Sequence, residues 1–96
     1  MPAGVDDKFY ERADAHIHLS NDQLEDIDRA RASASMMYAT ARFNAWVSAR
    51  GCRTNEELAA SRDEMIDYFL SEYRLMLEEN FDDYVEHYAK YMTPAQ

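Results

Sequence analysis

The stretch TNEELAASRDEMIDYFLSEYRLMLEENFDDYVEHYAKY, Thr54 to Tyr91, decides the fold. Leu58, Met65, Ile66, Phe69, Tyr73, Met76, Leu77, Tyr84, Tyr88 and Tyr91 recur at spacings of three and four, the period of a helix face. No glycine or proline interrupts the run before Pro94. Its start carries a capping signature: Thr54 can accept from the Glu57 amide, and the Glu57 side chain can reach back to Thr54. A third helix over about 54–91 is predicted. Straight, it spans roughly 55 Å at 1.5 Å per residue. A compact chain of this size has a radius of gyration of only about 13 Å. Two shorter helices cannot cover such a stripe. Either the end projects and meets another chain, or it breaks and folds back.

Asn80 sits in the middle of the stripe. An Asn in a helical seam fixes register and oligomeric state at a cost in stability. Alternatively NFDD starts a fresh helix and the chain bends there. A continuous or mildly bent helix is the expectation. Tyr84, Tyr88 and Tyr91, with Asn80, form the candidate interface, since tyrosines are enriched at binding hot spots.

Upstream, Gly51 marks the end of a second helix over about 31–50. Ala30, Ala34, Ala41 and Ala45 make a small-residue stripe, and Met36, Ala39, Phe43, Trp46 and Val47 cover much of the opposite side. A helix apolar on most of its circumference sits between neighbours, so this one is placed at the centre, with the alanines letting a neighbour approach. Ser33, Thr40 and Asn44 form a polar seam that either lines a small cleft or faces water and bonds back to the helix.

The first helix should begin near Asp6 or Asp7, acids suited to a helix N-terminus, and end near residues 19–21. Phe9, Tyr10, Ala13 and Ile17 share a face. Ser20 to Gln23 (SNDQ) has capping-box form and either starts the next helix or shapes the connection, while LEDIDRAR reads as a polar loop or frayed helical entry. Helix formers dominate, with two glycines and two prolines among 96 residues. The fold class is all-α: one three-helix, bundle-like domain over residues 1–96 with a long C-terminal third helix.

ADAHIHLS, Ala13 to Ser20, imitates the His-x-His of metal-dependent amidohydrolases. Such barrels need about 250 residues. On a helix, moreover, residues two apart point about 200° from each other, so His16 and His18 cannot chelate one metal. Asp83 and His87 stand four apart, but Glu-x-x-His is absent and a surface pair is the simpler reading. The acids Asp22, Glu25, Asp26 and Asp28 lack the glycine turn of a calcium loop. The lone Cys52, between Arg50 and Arg53, excludes an internal disulfide and reads as an ordinary turn cysteine. No nucleophile triad, phosphate loop or dinucleotide fingerprint occurs. No catalytic, metal or cofactor residue is therefore predicted, and the chain reads as non-enzymatic.

The net charge of −9 disfavours nucleic acid as a partner. It is uneven: residues 55–96 carry eleven acids against three bases, whereas 29–53 hold five arginines and no acid. No apolar signal segment or membrane-length run is visible, so a soluble cytoplasmic protein is expected, with no membrane partner.

FYERADAHIHLSN, SASMMYATARFNAW and YFLSEYRLMLEENFDDY together resemble a proteobacterial family of small proteins catalogued as a domain of unknown function, over about Phe9 to Tyr84. The resemblance implies a bacterial, cytoplasmic, helical protein and carries over no activity and no site residue. The leading functional reading is a protein-interaction module that self-associates as a homo-oligomer or binds another protein. The alternative is an acidic regulator of a basic protein surface. A small-ligand or metal module ranks third.

Overall fold

The computed structural model describes residues 5–93. Its helices are α1 (Phe9–Gln23), α2 (Arg29–Arg50), α3 (Asn55–Glu86) and a short α4 (Tyr88–Met92). The fold is all-α and three-helix bundle-like, with no strand among the described residues.

Asp6 organises the start of α1 from outside it. Its carboxylate accepts the Lys8 amide at 2.9 Å, and the Arg12 guanidinium grips both oxygens at 2.7 and 3.2 Å. The Arg12 bond, then the Lys8 amide, hold the Asp6 carboxyl below its ordinary pKa. The helix proper starts at Phe9 and runs through Ser20–Gln23, so SNDQ lies inside α1 and caps nothing. The stop follows in Leu24–Ile27, where the Leu24 and Asp26 amides turn back three residues to the Asn21 and Gln23 carbonyls.

Asp28 caps α2, its carboxylate accepting the Arg31 amide at 2.8 Å. LEDIDRAR thus divides into a turn and the first helical residues. Gly51 closes α2 with φ −84°, so the stop needs no left-handed residue. At α3 the Thr54 hydroxyl accepts the Glu57 amide at 3.1 Å. The Glu57 carboxylate reaches one residue further back than the capping-box pattern predicts, accepting the Arg53 amide at 2.7 Å.

α2 is the shared element: α1 packs on it and so does α3, whereas α1 and α3 do not meet. Ala32, 4% exposed, is the one buried residue among those described. The alanine stripe of α2 does not seat a neighbour: Ala30, Ala34, Ala41 and Ala45 all face solvent. The reason is register, since the close approach falls on Ala32 and Met36, on another side of the helix.

α3 passes straight through Asn80, whose side-chain amide donates to the Met76 carbonyl at 2.8 Å. The break comes later, at His87, where ψ rises to 28° before α4 begins. The molecule is drawn out: its radius of gyration is 16.4 Å and its extents are 55 × 31 × 24 Å.

Candidate interaction surface

The apolar residues of α3 divide between two faces. Leu58, Met65, Phe69 and Met76 are half-buried and share one face of α3, the inner face of a helix that packs on α2. Ile66, Leu70, Tyr73, Leu77 and Tyr84 lie about 100° further round at 3.6 residues per turn. They stay exposed, at 40, 62, 47, 41 and 49%. With Asn80 they form an unbroken 4-3-4-3-4 series from Ile66 to Tyr84, the spacing of a coiled-coil seam. Phe81 and Val85 flank it, also exposed.

The sequence reading merged these two faces into one stripe and missed Leu70. The signal was present, because counting forward from Ile66 gives the heptad directly. What periodicity alone lacked was the direction of α2, which separates the covered face from the uncovered one.

At the C-terminal end, Tyr84 and Tyr91 stack with ring centroids 4.6 Å apart. Asp83 joins α3 to α4 across the His87 break. One carboxylate oxygen lies 3.0 Å from His87 Nδ1 and the other accepts the Tyr91 hydroxyl at 3.0 Å. That bond, with some desolvation and the Asp83 charge, raises the Tyr91 phenol above its ordinary pKa. With both oxygens occupied inside the chain, the Asp83–His87 pair pins a helix end. Tyr88 stands exposed at the start of α4. Of the four candidate interface residues, the structure brings the Tyr84 and Tyr91 rings together, places Asn80 one turn before Tyr84 on the same exposed face of α3, and leaves Tyr88 exposed on α4.

On α2, Ser33 and Thr40 are exposed and Asn44 half-buried. The Thr40 hydroxyl donates to the Met36 carbonyl at 2.9 Å, and the neighbouring Ser48 to the Asn44 carbonyl at 3.0 Å, so both hydroxyls serve their own helix. A second apolar patch lies nearby: Phe43 and Trp46 contact at 5.5 Å between centroids, both more than half exposed. His16 borders a shallow cleft with Leu19 and Met36, while His18 lies in solvent. Among the described residues, no three His, Cys, Asp or Glu side chains converge on a metal-sized site. No helix among them is long and apolar enough to cross a membrane.

A model of the family described as a protein of unknown function, DUF3144, matches residues 9–85. The chain belongs to the DUF3144 family. That match runs from the first residue of α1 to the penultimate residue of α3 and includes the whole outer seam. The DUF3144 chain is also similar to a solved structure, the protein NB7890A from Shewanella sp, at 35% identity and a TM-score of 0.76. The likeness covers 98% of this chain and 100% of the other, in keeping with the bacterial resemblance. No curated protein matches.

Proposed function

We propose that this DUF3144 chain is a non-enzymatic cytoplasmic module that works by binding protein, first of all a second copy of itself, through the outer face of α3. The supporting observation is surface area. A compact 11.2 kDa chain exposes about 5,700 Å² by the usual scaling. This one exposes 8730 Å². The excess, about 3,000 Å², exceeds several-fold the roughly 800 Å² that each partner buries in a standard interface. Ile66, Leu70, Tyr73, Leu77, Phe81, Tyr84 and Val85 all stand exposed along α3, and contiguous apolar surface beyond a few hundred Å² marks an interaction site.

The test is light scattering coupled to chromatography on the wild type and on Leu70→Glu/Leu77→Glu. Both sites are exposed in the single chain, so the double variant keeps its helical circular dichroism while losing association. The wild type is expected to elute as a multiple of the chain mass and the variant as one chain. A monomeric wild type overturns the reading, and so does a variant that still associates.

A further inference from the structure

We propose that the second copy lays its own α2 across the outer seam of α3, so that each seam covers the exposed alanines of the other copy's α2. The inference rests on the self-association reading above and adds the surface that the seam meets, which that reading leaves open.

α2 and α3 are joined by the four residues 51–54 and pack on each other, so they form an antiparallel hairpin. Asn44 and Ser48, half-buried in the C-terminal half of α2, mark the side that α3 covers. At 3.6 residues per turn, the exposed Ala34, Ala41 and Ala45 lie about 40–80° on from them. The seam of α3 lies about 100° on from its own inner face, in the same sense. On two antiparallel helices that face each other, rotation in the same sense leads to the same side of the pair. The alanines and the seam therefore make one face, two helices wide, with the exposed Tyr38 on the α2 half.

Size divides that face. The α2 half is mostly alanine, and the α3 half carries Ile66, Leu70, Tyr73 and Leu77. A copy turned about an axis along the helices sets each large half on the other's small half, and side chains interdigitate. A copy turned about an axis across the helices sets large on large and small on small. Counting away from the 51–54 turn, Arg50 is level with Asn55, so Ala41 is level with Glu64 and Ala34 with Ser71. A turn about the long axis keeps those levels and puts the alanines alongside Ile66, Leu70 and Tyr73 of the second copy. Arg29, where α2 begins, is level with Met76. Asn80 thus lies past the end of the second copy's α2, and the rest of its amide stays hydrated.

The edges of the face differ in charge. Arg31 and Arg42 border the α2 half, and residues 29–53 hold no acid. Asp63 and Asp67 border the α3 half. Among the described residues, Arg42 and Asp67 enter none of the chain's ion pairs. The turn that sets large on small brings Arg42 level with the second copy's Asp63 and about 6 Å along the axis from its Asp67. That separation lies inside the screening length of about 10 Å. The other turn sets basic edge on basic edge and acidic edge on acidic edge.

Area points the same way. One helix face about 27 Å long and about 10 Å wide offers roughly 270 Å² in projection, against the roughly 800 Å² that each partner buries in a standard interface. Adding α2, at an interaxial distance of about 8–10 Å, doubles the width.

Two measurements test the docking. Ala34→Trp enlarges an exposed residue of α2, so it should keep the helical circular dichroism and weaken association at least tenfold in light scattering. Unchanged association would show that the seam does not meet α2. The second is a spin–spin distance on the wild-type chain labelled at Cys52, its single thiol, which is half-buried in the 51–54 turn. Docking about the long axis stacks the two turns and puts the labels about 10–25 Å apart, the interaxial spacing plus two label arms. Docking about an axis across the helices puts the turns at opposite ends, about 35–50 Å apart. Arg53→Cys/Cys52→Ser, labelled at the neighbouring exposed position, repeats the measurement. Light scattering on each labelled sample reports association. Associated protein with the short distance is the expected result. Associated protein without it overturns this docking and leaves self-association standing. A wild type of one chain, with no intermolecular distance, overturns both.

Discussion

At Thr54 a single hydroxyl satisfies one of the amides that the first turn of α3 leaves over. Thr54→Ala should cost about 1 kcal/mol, a fall of roughly 4–8 °C in Tm for a chain of this size, measured by thermal unfolding at fixed protein concentration. The cap was legible because Thr and Glu three apart ahead of an apolar run is a local signal. Its detail was not: Glu57 chooses the Arg53 amide, and that choice depends on the backbone angle of the turn. Tyr91 offers a second test. Its folded-state pKa lies above 10.0 because the protonated phenol donates to Asp83. The contribution of that bond is fully present below pH 10 and is lost as pH rises through the folded value. In an absorbance titration of tyrosinate, Asp83→Asn should bring one tyrosine back towards 10.0. Unchanged titration would show that the bond does not form in solution.

Among the elements, α2 shows how sequence pattern can select the right helix and the wrong face. Its central position was legible from apolar residues around most of its circumference. The side seating the neighbour was not, since four alanines in series look like a packing stripe while the close approach uses Ala32. Ala32→Leu should overpack that contact and cost about 1–3 kcal/mol. Ala30→Leu, on the exposed side, should change stability by no more than about 0.5 kcal/mol. Denaturant unfolding of both variants checks the contrast, and equal effects would contradict the packing described here. α3 gives the complementary lesson. Its continuity through Asn80 follows from the absence of any glycine or proline on either side. The break at His87 has no glycine or proline to announce it, because it is tied to a side-chain arrangement of Asp83, His87 and Tyr91 that only the folded chain displays. The candidate residues Tyr84 and Tyr91 were legible as an aromatic cluster. The heptad including Leu70 became distinct only once α2 had claimed the inner face.

The molecule combines an extended outline with one buried residue among those described, so a single copy keeps its secondary structure on little tertiary support. A chain built this way gains stability when its outer seam is covered. Its Tm should therefore rise with protein concentration, as binding to the folded form alone requires. Leu70→Glu/Leu77→Glu should flatten that dependence, which scanning calorimetry over a hundredfold dilution series would read directly. The central claim, that this fold is completed by a second copy, is tested most directly by sedimentation equilibrium of the wild type over the same concentrations. The account predicts a mass of at least twice the 11.2 kDa chain at the upper concentrations, falling towards one chain on dilution. A mass of one chain throughout, with the helices intact, would contradict it.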